Sequence, residues 1–357
     1  ESRGVKVHWA KDAQEFNEIV LGILKDHNVK KMVKSKSMLT EECEMNPYLE
    51  QHGIDVVETD LGERIIQLLG QKPSHIVMPA IHLKREEVGK MFEEKGISKE
   101  IGNYDPTYLT RCARHHLRDQ FMEAGAGMTG CNFGVAATGD CVVCTNEGNA
   151  DMTTSMPKLH IVAMGIEKLV PDYKSLAVFQ RLLCRCGTGQ PTTAFTSHFR
   201  QARPGAEMHV VLVDNGRSDI LADKDHWQTL KCMRCGACMN TCPVYRRSGG
   251  YSYTYFIPGP IGVNLGMLKN PQKYSDNVSA CTLCLSCDNV CPSKVGPGSQ
   301  IYVWRQSLEK LGKADPVKKA MSNGMKYLFD RPALYTTALK FAPLVNLIPE
   351  CCTHFSN

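Results

Sequence analysis

The chain has 357 residues, room for about two domains at roughly 150 residues each. Its 43% apolar and 22% charged content is that of an ordinary globular protein, and a net charge of +5 without a long basic run gives no ground for nucleic-acid binding. No signal peptide opens it and no apolar run reaches the ~18 residues of a bilayer span, so its 17 cysteines are expected as metal ligands and thiols in reducing cytoplasm, not as disulfides.

The chain starts at Glu1 without a methionine, so residues upstream are expected to be missing. In chain order, "DAQEFNEIVLGILKDH" repeats apolar residues at three and four and predicts a helix. "VKKMV" predicts a strand that runs through "VKSKSMLTEE" into a second helix. Lys34, Ser35 and Lys36 stand at that junction, where backbone donors and lysines converge on an anion. "IDVVET" and "SHIVMP" read as strands, and "REEVGKMFEEKG" and "RCARHHLRDQFMEAG" as helices. His115 and His116, beside Arg114 and Arg118, are expected in a solvated or partner-facing basic patch.

The segment "GAGMTG" satisfies G-x-G-x-x-G, but a helix precedes it and the strand "CNFGVAA" follows. A dinucleotide fingerprint needs the reverse order, so no nucleotide site is expected. "CVVCTN", "LHIVAMG", "TTAFTS" and "MHVVLVD" complete the strands, and the alternation predicts an α/β domain with a largely parallel sheet. Asn146 and Glu147 follow "CVVCT" at a strand end, a usual ligand position in such folds. Cys141 and Cys144 lie three apart on that strand, on opposite faces. They, Cys184, Cys186, Cys351 and Cys352 lack a complete ligand set and are expected as thiols without a cluster role.

Near Asp223–His226 the strand signals stop. The predicted organisation is an α/β domain over 1–223, a mainly helical cysteine-bearing domain over 224–320 with the helix "IYVWRQSLEKLG", and a tail over 321–357. The apolar tail segment "LYTTALKFAPLVNLIPECC" is too broken by proline to span a bilayer; it is expected to dock on a partner subunit or a membrane surface, or to close the core.

Two copies of C-x2-C-x2-C-x3-C-P dominate the second domain: Cys232, Cys235, Cys238 and Cys242, then Cys281, Cys284, Cys287 and Cys291. Structural zinc usually pairs two C-x2–4-C hairpins, whereas a triple run closed by Cys-Pro is the iron–sulfur pattern, whose fourth cysteine serves the other cluster. One 4Fe-4S cluster is therefore expected on Cys232, Cys235, Cys238 and Cys291, and a second on Cys281, Cys284, Cys287 and Cys242. Clusters that exchange ligands lie close together, as a path for electrons requires.

With these motifs, "KSKSMLTEE", "DLGERIIQLLGQKPSHIVMPAIH", "GMTGCNFGVAATG", "TNEGNADM", "HIVAMGIEKLVP", "HVVLVDNGRS", "CPVYRRSGG" and "PGPIG" resemble the lactate-utilisation protein B family over nearly the whole chain. The resemblance implies a LUD domain, similar to the sugar-phosphate isomerase and CoA-transferase-like fold, followed by a ferredoxin-like two-cluster domain. It further implies a cytoplasmic iron–sulfur subunit that oxidises L-lactate to pyruvate with two other lactate-utilisation subunits and without a nicotinamide. Only the eight cysteines carry over as ligands; Lys34, Ser35, Lys36, Asn146 and Glu147 remain pocket candidates for L-lactate or another small acid. The sequence departs from the family in a shorter "SHFRQARPGAE", an unfamiliar "CCTHFSN" and the additional cysteines. Alternatives are a redox-sensing scaffold, or a subunit of a reductase for glycolate, glycerol phosphate or heterodisulfides.

Overall fold

The computed structural model describes residues 1–313 and 315–341. Two compact units divide the chain: Glu1–Trp304, and a second that begins at Arg305.

Ten strands build the first unit: β1 (Lys6–Ala10), β2 (Lys31–Lys34), β3 (Asp55–Glu58), β4 (Ala126–Thr129), β5 (Phe133–Val135), β6 (Asp140–Thr145), β7 (Leu159–Gly165), β8 (Leu169–Val170), β9 (Phe195–Phe199) and β10 (Glu207–Val213). Six form a sheet in the order β1-β10-β7-β4-β2-β3, every neighbouring pair parallel. The other four form a smaller sheet, β8-β5-β6-β9, antiparallel at β5-β6 and β6-β9.

The first helix, Ala13–Asp26, shows why the large sheet is covered. Asp12 caps it by accepting from the Glu15 N–H, and Phe16, Val20 and Leu24 recur on one buried stripe. That stripe packs on Met32, Val56, Ala126, Ile161 and Val211 of the strands. On the opposite face Val162, Met164, Met208, Val210 and Leu212 meet Cys141 of the smaller sheet. Cys144 packs elsewhere, with Phe133, Val142 and Leu183, so the two cysteines of β6 do face opposite ways.

The strand reading fails at "SHIVMP". Residues 74–79 make a tight loop in which His75 Nδ1 accepts from the backbone N–H groups of Val77 and Met78 at 3.0 and 3.1 Å. Ile76 and Val77 pack not on a strand but among Met239, Ile257 and Ile261 of the cysteine-bearing region. Their apolar character serves that docking. Strands β1, β4 and β8, not predicted, complete the sheets; β4 reads "AGMT", where small residues replace the β-branched signal. An added Cβ at Gly127 would come within 1.8 Å of the Thr153 carbonyl oxygen, which explains the glycine.

In the second unit, the helices Pro316–Phe329 and Pro332–Phe341 are exposed apart from the half-buried Leu328. From residue 342 onward the predicted tail, with Cys351 and Cys352, lies outside the described residues. Among the described residues no helix is long and apolar enough to cross a membrane.

Candidate functional site

Both cysteine motifs fold into the same turn. In the first, Arg234 (φ +63°) and Gly236 (φ +79°) flank Cys235; in the second, Leu283 (φ +54°) and Leu285 (φ +58°) flank Cys284. The left-handed region costs a non-glycine residue on the order of 1 kcal/mol, so three such residues at matching positions mark one strained conformation common to both motifs. Short helices follow, Ala237–Thr241 and Ser286–Val290, joined by a hydrogen bond between the Thr241 and Ser286 hydroxyls.

Several thiols of one motif have thiols of the other as neighbours. Cys291 packs in the same apolar cluster as Cys232 and Cys238, and its charge would be felt at Cys235. Cys287 has Cys281 and Cys242 as electrostatic neighbours. Backbone donors point at sulfur: Val295 N–H to Cys291 Sγ at 3.3 Å and Leu283 N–H to Cys281 Sγ at 3.4 Å.

Burial, with smaller contributions from neighbouring thiols, pushes Cys235 up to about 11. Burial and then Asp288 push Cys287 up to about 12. Exposed Cys284 is lowered instead, first by the Ser286 N–H. Several buried thiols side by side cannot ionise together without a compensating cation. Thiol-only donors, repeated strained loops and N–H groups on sulfur suit iron–sulfur clusters.

Beside the first motif lies a cleft of about 350 Å³. It opens at the carboxyl ends of the parallel strands, the usual ligand position in such a sheet: Ser35 follows β2, Asp60 follows β3, Gly130 follows β4, and Gly165 ends β7. The smaller sheet adds Cys144, Thr145, Asn146 and Glu147, and the motif loop closes it with Met233, Arg234 and Cys235.

Of the pocket candidates, Ser35, Lys36, Asn146 and Glu147 line this cleft. Lys34 does not. It is fully buried, and its ammonium meets Glu58 at 2.7 Å, Glu41 at 2.8 Å and Thr40 Oγ1 at 2.9 Å. Burial opposes its charge, but the two carboxylates outweigh that and raise its pKa. Lys34 is a structural ion pair, set by register opposite Glu58. Of the two adjoining histidines, His116 is bound to Arg64 at 2.9 Å, while His115 is solvent-exposed.

The cations of the cleft differ in how they are engaged. Arg217 binds both Glu42 and Glu167. Lys168 donates to the Cys232 carbonyl at 2.8 Å, and burial lowers its pKa. Lys36 donates to the Val77 carbonyl at 2.9 Å and lies 3.6 Å from Glu63. Glu147, at the exposed rim, is pushed up to about 7 by desolvation in the cleft mouth and by Asp60. Arg234, Lys168 and Arg217 escaped the sequence reading. Only Arg234 carried a signal, its place between two motif cysteines.

Comparison with known proteins finds two families along the chain. The LUD domain family matches residues 1–218, and the 4Fe-4S dicluster domain family matches residues 228–295. Lactate utilization protein B of Bacillus cytotoxicus is 42% identical over 349 residues, which cover 96% of this chain and 73% of that protein. The protein of the same name from Geobacillus thermodenitrificans is 41% identical over 351 residues, again 96% of this chain and 73% of its own. A solved DUF162 family protein of Deinococcus radiodurans aligns with 59% of this chain and 89% of its own at 12% identity and a TM-score of 0.31, too distant to carry an argument.

Proposed function

The chain belongs to the lactate utilization protein B family, and we propose that it is the iron–sulfur electron-transfer subunit of a complex that oxidises L-lactate to pyruvate. It works in the cytoplasm with two further lactate-utilisation subunits and without a nicotinamide. Its divisions are a LUD portion over 1–223, a ferredoxin-type portion over 224–320 and a tail.

Cys232, Cys235, Cys238 and Cys291 hold one 4Fe-4S cluster; Cys281, Cys284, Cys287 and Cys242 hold the other. When bound, the clusters take up and pass on electrons singly, at potentials spanning roughly 1 V among such centres. The nearness of Cys291 to the first motif's thiols and of Cys242 to Cys287 supports this pairing.

The observation that carries the reading is the shared cleft. Met233, Arg234 and Cys235 of the first cysteine loop line the same cavity as Ser35, Lys36, Asn146 and Glu147. A small acid held there lies against the first cluster's own loop. Oxidation of a 2-hydroxy acid releases two protons with its two electrons, and Glu147, raised to about 7, is a group that can hold one of them near neutral pH. At the second motif Cys284, Leu285 and Val290 are exposed, which suits the face from which a partner receives electrons.

The test is anaerobic addition of L-lactate to the oxidised, iron-loaded complex while the visible absorption is followed. Bleaching by L-lactate is the expected result. Bleaching only by glycolate or another donor moves the chain to a different reductase, and none with any donor replaces the relay by a sensing scaffold.

A further inference from the structure

Three residues that line the cleft each carry a buried polar atom with no hydrogen-bond partner among the described residues: Ser35 Oγ, Asn149 Oδ1 and Arg234 Nη1. Ser35 is 1% exposed and Asn149 6%. Native structures satisfy buried polar groups with few exceptions, so three residues with unused hydrogen-bonding capacity around one cavity single it out as a place for a polar ligand. Their chemistry describes it further. Arg234 donates to an anion, the serine hydroxyl donates or accepts, and the asparagine oxygen accepts from a hydroxyl. Together they match a small acid that carries a hydroxyl beside its carboxylate.

The charges of the cleft narrow the choice of anchor. Lys36, Lys168, Arg217 and Arg234 face Glu42, Asp60, Glu147 and Glu167. Arg217 is spent on Glu42 and Glu167, Lys168 on the Cys232 carbonyl, and Lys36 on the Val77 carbonyl and Glu63. Arg234 is the cation whose buried Nη1 remains to be used. Its backbone sits between Cys232 and Cys235 in the left-handed region.

We propose that Arg234 anchors the carboxylate of a small 2-hydroxy acid, with Ser35 and Asn149 completing the site, so that occupancy of the cleft is felt at the first cysteine loop. This rests on the lactate-oxidising reading for the identity of the acid. Arg234 acts as a binding residue, and as a positioning residue toward the cluster.

The experiment uses the full chain with iron loaded anaerobically, and the probes L-lactate and its redox-inert analogue oxamate. Binding is measured calorimetrically, and the reduced-cluster electron paramagnetic resonance spectrum is recorded with and without oxamate. The native chain is expected to bind both probes and to shift its spectrum with oxamate. Arg234→Gln with native iron content should weaken binding by about tenfold or more, as loss of a charge-assisted bond does, and abolish the spectral shift. Arg234→Lys should keep part of both. If Arg234→Gln fails to hold iron, Ser35→Ala and Asn149→Ala, outside the cysteine loops, carry the test through several-fold weaker binding.

Native affinity in an iron-replete Arg234→Gln, an unchanged spectrum on oxamate binding, native affinity in both Ser35→Ala and Asn149→Ala, or no binding by the native chain overturns the proposal. Binding lost in Arg234→Gln while L-lactate never bleaches the complex leaves the anion site standing and removes the lactate-oxidising function. Bleaching with an indifferent Arg234→Gln does the opposite.

Discussion

Glu147 sets the charge of the cleft near neutrality, because desolvation at the cleft mouth and then Asp60 push its carboxyl from the ordinary value near 4.5 up to about 7, against the opposing pull of Lys36. The sign follows from which state keeps the proton. Below about pH 4.5 both folded and unfolded chains hold it; between there and about 7 only the folded chain does, so this contribution to stability fades as pH rises through that window. Anion binding moves the same way: the affinity for L-lactate should fall as pH rises from about 6 to about 8, and Glu147→Gln should flatten that fall. Calorimetry across that range checks it; a native chain as flat as Glu147→Gln contradicts it. Ser35, Lys36, Asn146 and Glu147 were legible as cleft residues because strand ends fix where loops gather. Lys34, one residue earlier, was not, since its partner Glu58 is 24 positions away in sequence and adjacent only by strand register.

At the scale of elements, the loop 74–79 joins the sheet domain to the cysteine region. Tyr245 donates to the Ser74 carbonyl at 2.7 Å, His75 Nε2 meets Asn240 Oδ1 at 3.1 Å, and Gly250 lies so close that an added Cβ would stand 2.0 Å from the Ser74 carbonyl oxygen. Backbone on backbone leaves no side chain to yield. Gly250→Ala should destabilise the protein by roughly 1–3 kcal/mol, read as a lower urea midpoint in the iron-loaded chain. An unchanged midpoint contradicts this packing. The segment read as a strand because apolar β-branched residues signal burial without saying against what. The first helix, by contrast, carried its cap and its period within 16 residues, "DAQEFNEIVLGILKDH", and was legible without any partner.

For the whole molecule, a parallel sheet supplies a cleft at its strand ends, and the first cysteine loop completes it. The 4Fe-4S dicluster domain was legible because the cysteine spacing that marks it is local in sequence. Arg234 was not, because its meaning depends on a cavity made by residues from across the chain. Under the proposed function that arrangement would give a reason for the two parts to share one polypeptide, since the acid and the first electron acceptor would meet without a subunit boundary between them. All of this requires the two thiol sets to hold iron. The direct measurement is iron, zinc and acid-labile sulfide per polypeptide in anaerobically isolated protein. The account predicts about eight irons and about eight sulfides, four of each for either set; bound zinc, or iron well below that number, contradicts it.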